Sequence, residues 1–135
     1  MTGASSPDVV VVDTMVVSWL LDERPNLLAD RYRDLIGSAR LLAFQTVMEL
    51  RFGALRAEWG ELRRHRLERG IAELTVTQPD DAMITACAQL RAGCQRIGHS
   101  FGDKLHDGDR WIAATAIRLR CPLVSHDIIF KGAQA

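Results

Sequence analysis

The sequence is poor in cysteine, and its three cysteines, Cys87, Cys94 and Cys121, form no C-x-x-C pair. An odd number of cysteines without such a pair argues against a disulfide framework and against a zinc knuckle. The cysteines are therefore expected to be reduced. This pattern predicts a cytoplasmic protein.

Long apolar runs are also missing. No segment approaches the roughly 20 apolar residues that are needed to cross a bilayer. The N-terminal stretch MTGASSPD carries no basic residue ahead of the apolar run that follows it, which is unlike an export signal. We expect no membrane span and no export.

Neither sign of charge is in excess, since 17 Lys and Arg residues balance 17 Asp and Glu residues. Any attraction to nucleic acid must therefore come from the distribution of charge over the surface. The length of 135 residues is close to the usual size of one domain, and internal repeats and low-complexity segments are absent. We predict a single domain over residues 1–135.

Short apolar runs alternate with longer amphipathic segments. The predicted strands are Val9–Val12, Leu41–Phe44, Leu74–Val76 and Cys121–Val124, and the predicted helices are Leu27–Ala39, Gln45–Trp59, a segment from Pro79 that Gly98 ends, and Asp109–Leu119. Thr14–Leu21 suits a short helix, although its valines also suit a strand. The alternation predicts an α/β fold with a mainly parallel sheet.

Two of these helices have marked apolar stripes. Met48, Phe52, Leu55 and Trp59 follow one another on one side of the Gln45–Trp59 helix, which is apolar on a second side as well and so has two surfaces to cover. In the helix after Pro79, the predicted buried stripe is Met83, Cys87, Leu90, Cys94 and Ile97.

Four acidic residues occur where predicted strands end or predicted helices begin. Asp13 follows the first strand, Glu49 lies in the first turns of the helix after the second strand, Asp109 opens its helix, and Asp127 follows the last strand. In parallel sheets the functional crevice lies beyond the carboxyl ends of the strands. These four carboxylates are therefore expected to meet there.

Such a cluster needs a cation. Two carboxylates about 4 Å apart repel by roughly 4 kcal/mol at an effective dielectric constant near 20. Hard divalent cations prefer oxygen ligands, and with no nearby cluster of Cys and His ligands Mg²⁺ or Mn²⁺ is favoured over zinc. A site of this kind can activate water for phosphodiester hydrolysis.

Four motifs in order resemble those of PIN-domain ribonucleases, and in detail those of the VapC toxins of bacterial toxin–antitoxin modules. They are VVVDT at Val10–Thr14, T-x-x-E-L at Thr46–Leu50 with Gly53 after it, DRWIAATA at Asp109–Ala116, and PLVSHD at Pro122–Asp127. The resemblance covers nearly the whole chain. It implies a three-layer α/β/α PIN-like domain.

The same resemblance implies roles for individual residues. Asp13, Glu49 and Asp109 correspond to the core metal-binding catalytic acids, and Asp127 to the fourth. Thr14 and Ser125 match positions at which the family often places a supporting hydroxyl. His126 departs from the pattern, in which Arg or Asn is more usual, so a contact of this residue with RNA stays open. Asp107 is predicted to cap the helix that Asp109 opens.

The implied activity is a Mg²⁺- or Mn²⁺-dependent endoribonuclease that hydrolyses phosphodiester bonds in structured cellular RNA and inhibits translation and growth. Because sequence-specific RNA recognition usually targets splayed loops, a tRNA or rRNA loop is the expected substrate. The resemblance also implies a homodimer, for which the Gln45–Trp59 helix is the candidate interface. It further implies a VapB-like antitoxin that blocks the pocket with a basic side chain.

Six arginines between Arg51 and Gly70 have two interpretations. Arg63, Arg64 and Arg66 are candidate contacts to RNA phosphates, which supply most sequence-independent affinity; the alternative is a solvated helical face.

Two other functions also stay open for the whole chain. One is a catalytically inactive PIN fold that binds RNA or a partner; the other is an aspartate-based phosphohydrolase, against which Met15 counts, since a second acid is expected there.

Overall fold

The computed structural model describes residues 9–22, 27–35 and 39–125. Its strands are β1 (Val9–Val12), β2 (Ala39–Ala43), β3 (Thr75–Thr77) and β4 (Leu123–Val124). Its helices are α1 (Thr14–Leu21), α2 (Leu27–Leu35), α3 (Phe44–Arg56), α4 (Glu61–Ala72), α5 (Asp81–Arg96) and α6 (Asp107–Leu119), with two 3₁₀ turns at Ser100–Gly102 and Lys104–His106.

The four described strands form one sheet in the order β3-β2-β1-β4, and all of its pairings are parallel. Val11 of β1 pairs with Leu41 on one side and with Leu123 on the other. The prediction of an α/β fold with a mainly parallel sheet is therefore confirmed.

The valine run of β1 is buried on both faces of the sheet, which explains why it does not alternate with polar residues. Val10 and Val12 belong to the apolar cluster that α1 and α3 cover, together with Leu42. Val11 belongs to the cluster on the opposite face, where Ile112 and Ala116 of α6 pack. Helix α5 packs on α6 and completes the third layer.

Several predicted boundaries are wrong around β2. Ala39 belongs to β2 and pairs with Val9, whereas it was predicted to close the preceding helix. Phe44 opens α3 instead of ending the strand, and α3 ends at Arg56, so Trp59 lies outside the helix. Hydrogen-bonded pairing with β1 decides where β2 begins and ends. This pairing depends on residues that are distant in sequence, so the local sequence does not reveal it.

Helix α5 begins later than Pro79. Asp80 is its N-cap, since the Asp80 carboxylate accepts a 2.8 Å hydrogen bond from the Met83 amide. Ile97 is 53% exposed and lies outside the buried stripe, which instead includes Ala86 and Gly93. Small residues there allow α5 to approach α6 closely. Gly98 ends the helix with φ of 70°, as predicted.

None of the helices in the described residues is both long enough and apolar enough to cross a membrane. His126 and Asp127 lie outside the described residues.

Asp80 links the start of α5 to the end of α6. Arg118 donates a 3.0 Å hydrogen bond from Nε to Asp80 Oδ2 and places Nη2 at 3.0 Å from the same oxygen. The Arg118 guanidinium and then the Met83 amide lower the pKa of Asp80 from its ordinary value of 3.8. The charged carboxylate is therefore favoured in the folded state.

Replacing Asp80 with Ala is expected to lower the melting temperature at neutral pH, because α5 loses its N-cap and Arg118 loses its partner. Because the folded-state pKa is the lower one, this stabilisation is complete above a pH of about 3.8 and is lost as the pH falls through the folded-state pKa. Circular dichroism melts of both proteins from neutral to acidic pH measure the difference. Asp81→Ala is the control, and an equal loss there would contradict the assignment.

Candidate active site

Three helices begin at the carboxyl ends of the central strands. Helix α1 follows β1 after a single residue, α3 follows β2 directly, and β4 leads to Ser125 at the same edge of the sheet. The start of α6 lies against α3 there, where Gly108 approaches Glu49. Helix N-termini present unpaired backbone N–H groups and a positive dipole end, so this edge favours anions.

Asp13 lies at the N-terminus of α1 and is only 4% exposed. Its Oδ1 accepts a 3.0 Å hydrogen bond from the Val16 amide, and its Oδ2 accepts one from the Ser125 hydroxyl. The first bond makes Asp13 the N-cap of α1. The second joins it to the end of β4, so helix capping and a place in the site are compatible roles for this carboxylate.

Glu49 is held beside the start of α1. The Thr14 hydroxyl donates a 2.5 Å hydrogen bond to Glu49 Oε2, and Thr14 Oγ1 lies 3.1 Å from Thr46 Oγ1. Thr46 is fully buried. Because Thr14 follows Asp13 in the chain, this contact places Glu49 next to the turn that carries the first predicted acid.

Gln45 and Gly108 also belong to this site, although neither lies in a pattern that predicts it. The Gln45 amide donates a 3.2 Å hydrogen bond to Glu49 Oε1. A Cβ atom on Gly108 would lie 2.8 Å from Glu49 Oε1 and 2.9 Å from Gln45 Nε2. Only glycine leaves that space, and a glycine in the first turn of a helix is the one signal that could have indicated it.

Asp109 lies in the first turn of α6, with Oδ2 at 3.5 Å from His106 Nδ1. The prediction that Asp107 caps this helix is wrong. Helix α6 begins at Asp107 itself, its N-cap is His106, and the carboxylate of Asp107 forms an ion pair with Arg110. Arg110 also bonds the carbonyls of Phe101 and Asp103, so its guanidinium lies between Asp107 and the segment before the helix.

Hydrogen bonds thus join the carboxylate of Asp13 to Ser125 and that of Glu49 to Thr14. Glu49 also lies against Gly108, the residue before Asp109. In the part of the chain that the structure describes, no three Asp, Glu, His or Cys side chains are close enough to hold a metal ion together. Mg²⁺ is usually bound through one or two carboxylates and keeps several waters. The carboxylate and hydroxyl oxygens gathered here fit that requirement.

The candidate RNA-binding arginines do not share one surface. Arg63 and Arg66 line a groove of about 1230 Å³ between α1 and α4, in which the Arg63 guanidinium lies 3.7 Å from the centroid of the Trp59 ring. Arg64 lines a smaller cavity between α3 and α4. The role of these arginines in RNA binding stays a prediction.

Comparison with solved structures gives a close match in fold. The FitAcB structure from Neisseria gonorrhoeae superposes with a TM-score of 0.74 and 25% identity over 89% of this chain and 88% of that one. A member of the VapBC family of toxin–antitoxin systems, VapBC-5 from Mycobacterium tuberculosis, gives a TM-score of 0.68 and 26% identity over 94% of each chain.

Comparison of sequences leads to the same group of proteins. Ribonuclease VapC1 of Haemophilus influenzae strain R2866 is 25% identical over 121 residues, which cover 89% of this chain and 87% of that protein. The sequence pattern of the PIN domain matches residues 10–134. With its parallel sheet and the acids at the carboxyl ends of the strands, this chain belongs to the PIN-domain family.

Proposed function

We propose that this protein is a divalent-metal-dependent endoribonuclease and the toxin of a toxin–antitoxin pair. The similarity to Ribonuclease VapC1 supports the activity, and the similarity to VapBC structures supports the pairing. The proposed domain comprises all 135 residues. The proposed catalytic and metal-binding acids are Asp13, Glu49, Asp109 and Asp127.

The observation that carries this proposal is the position of Glu49. Its carboxylate contacts the Thr14 hydroxyl on one side and fills the space beside Gly108 on the other. Those two residues adjoin Asp13 and Asp109, which are far apart in sequence. Glu49 therefore lies between the two elements that carry Asp13 and Asp109.

The donor set favours Mg²⁺ and allows Mn²⁺, since all of its ligands are oxygens. When bound, such an ion lowers the pKa of a coordinated water and stabilises charge on phosphate oxygens. The chain orients its own ligands: Ser125 and the Val16 amide fix both oxygens of Asp13, and Thr14 and Gln45 fix both oxygens of Glu49. Little carboxylate motion then remains to be restricted during catalysis.

The substrate that we propose is a loop of a structured RNA, in tRNA or rRNA, whose cleavage inhibits translation and growth. Splayed bases in such a loop expose the backbone to a site at the edge of a sheet. The N-termini of α1, α3 and α6 favour phosphate binding beside the carboxylates. Arg63 and Arg66 are candidates for further phosphate contacts.

The antitoxin that we propose as partner resembles VapB. The groove between α1 and α4 exposes apolar side chains, among them Trp19 and Leu62, between the basic side chains of Arg63, Arg66 and Arg69. An amphipathic segment with acidic residues on its flanks would complement that surface. A basic side chain of the same partner would neutralise the nearby carboxylates and compete with the metal ion.

Asp13→Asn is expected to abolish Mg²⁺-dependent RNA cleavage and toxicity on expression while the fold is kept, because Asn also caps helices well. Ser125→Ala should reduce cleavage about 10- to 100-fold, the usual cost of losing a partner of a metal ligand. A cleavage assay with purified protein and total tRNA, with and without Mg²⁺, measures both effects.

Asp81→Asn serves as the control for these variants, since this exposed acid lies in the first turn of α5. It should retain the parental rate. Cleavage by Asp13→Asn at the parental rate would show that the site is misassigned. If the parent binds RNA but never cleaves it, the chain is an inactive binding module.

Gly108→Ala is expected to reduce cleavage strongly without loss of stability. The added methyl group would overlap Glu49 Oε1 and displace that carboxylate, while alanine favours the helix by up to about 1 kcal/mol. Gly53→Ala on α3 is the matched control, because a Cβ there meets nothing within 4 Å. Unchanged cleavage by Gly108→Ala, measured beside melting temperatures of both variants, would contradict the proposed role of Glu49.

We further propose that the exposed apolar face of α3 forms a homodimer interface. Met48, Phe52 and Leu55 are 50%, 57% and 61% exposed, and they line a single depression on the surface. Exposed apolar patches of this kind are typical of interaction sites.

Phe52→Asp should convert a dimer to a monomer, as measured by analytical ultracentrifugation at micromolar concentration, because it places a charge in an apolar interface. Leu62→Asp is the control, since Leu62 is similarly exposed but lies on α4. A monomeric parent, or a Phe52→Asp variant that stays dimeric, would exclude this face.

A further inference from the structure

Arg110 is the largest fully buried side chain of the described residues, with 1% exposure. It directly follows Asp109, but its guanidinium is directed at the segment that precedes α6. Nη1 donates a 2.7 Å hydrogen bond to the carbonyl of Phe101 and a second one to the carbonyl of Asp103. Nη2 forms an ion pair with the Asp107 carboxylate.

These contacts stabilise a segment that has little regular structure of its own. Residues 99–107 contain two single 3₁₀ turns, and the first is capped by His99 Nδ1, which accepts a 3.0 Å hydrogen bond from the Phe101 amide. Phe101 anchors the segment as a fully buried side chain. The Arg110 guanidinium joins the carbonyls of Phe101 and Asp103 to α6, and Gln95 Nε2 of α5 donates a 3.2 Å hydrogen bond to the Gly102 carbonyl between them.

The segment ends at the acidic site. The His106 ring lies 6.2 Å from the Phe101 ring, centroid to centroid, and His106 Nδ1 lies 3.5 Å from Asp109 Oδ2. Movement of the segment would therefore change the surroundings of Asp109 and the position of Gly108 against Glu49. A residue that fixes the segment also fixes one side of the site.

An apolar side chain could fill the volume of Arg110 at a lower cost of desolvation, and burial indeed lowers the pKa of this guanidinium. It could not bind two carbonyls and a carboxylate at once. Arginine holds both carbonyls through Nη1 and pairs with the Asp107 carboxylate through the charge on its other arm, whereas lysine offers only a point charge. The buried cation thus joins two backbone carbonyls, those of Phe101 and Asp103, and one side-chain carboxylate, that of Asp107.

We propose that Arg110 is a positioning residue of the acidic site: its guanidinium holds residues 101–107 in the conformation that sets His106 and Asp109. This inference rests on the proposed nuclease function. Arg110 acts through the segment and does not touch the substrate.

The test compares Arg110→Lys, Asp107→Asn and the double variant with the parent. Three measurements are made on each protein: amide hydrogen exchange of residues 101–107, Mn²⁺ affinity by titration calorimetry, and kcat and KM for cleavage of a model RNA hairpin. Arg118→Met is the control, because Arg118 is an arginine of the same helix whose ion pair with Asp80 lies at the other end of α6.

Both single variants should accelerate exchange in residues 101–107 and weaken Mn²⁺ binding about 10- to 100-fold, the usual effect of losing an outer partner of a metal site. The loss in cleavage should fall on kcat, with KM for the RNA nearly unchanged. Since the two residues act as one unit, the Mn²⁺ affinity and kcat of the double variant should be only slightly lower than those of the more impaired single variant. Arg118→Met should match the parent in all three measurements.

The role of Arg110 is overturned if Arg110→Lys and Asp107→Asn retain the parental Mn²⁺ affinity and kcat while exchange accelerates, because the guanidinium would then support only the fold. If Arg110→Lys does not fold, Asp107→Asn decides alone, since the Asp107 side chain is half exposed. A parent that neither binds Mn²⁺ nor cleaves RNA would instead overturn the nuclease proposal itself, and this inference with it.

Discussion

The hydrogen bonds that orient the carboxylates of Asp13 and Glu49 are the constraint on which the candidate site depends. Each carboxylate oxygen of both residues accepts a hydrogen bond from a neutral donor: the Val16 amide, Ser125, Thr14 and Gln45. Neutral donors restrict the orientation of a carboxylate without removing its charge. The two carboxylates are therefore held in fixed orientations at the carboxyl ends of the strands.

The parallel sheet makes this arrangement possible. Because all described strands run in the same direction, the helices that follow β1 and β2 begin at one edge, and β4 ends there too. Apolar packing covers both faces of the sheet and stabilises it, with Val10 and Val12 packed on one face and Val11 against α6 on the other. The acids of the candidate site lie at the carboxyl ends of the strands, where helix N-termini favour negative charge.

The start of α6 is held from two sides by different means. Glu49 and Gln45 pack against Gly108 on the side of α3, and the buried Arg110 ties the same turn to residues 101–107 on the side of α5. The contact of Gly108 with Glu49 joins residues that no periodic pattern relates, whereas the Arg110–Asp107 pair has the i, i+3 spacing of neighbours on a helix. Gly108 and Arg110 look unremarkable in the sequence, since a glycine near a helix start and an arginine after an aspartate have many ordinary explanations.

From the sequence alone, the α/β class, the four strands and most of the helices could be predicted, together with Asp13 after β1, Glu49 in the first turns of α3 and Asp109 at the start of α6. Helix α4 (Glu61–Ala72) was not among the predicted helices, because its residues are polar on nearly all sides. Hydrophobic periodicity and cap preferences are properties of neighbouring residues, so they can be recognised in a single sequence. The tertiary structure decided the start of β2 at Ala39, the N-cap at Asp80, the ion pair of Asp107 and the places of Gln45, Gly108 and Arg110. The pairing of β2 with β1, the contact of Gly108 with Glu49 and the bond of Arg118 to Asp80 join residues distant in sequence, so no local pattern encodes them. The Asp80 cap and the Asp107–Arg110 ion pair join residues only three apart, and a local pattern allows them without selecting them over the other local possibilities.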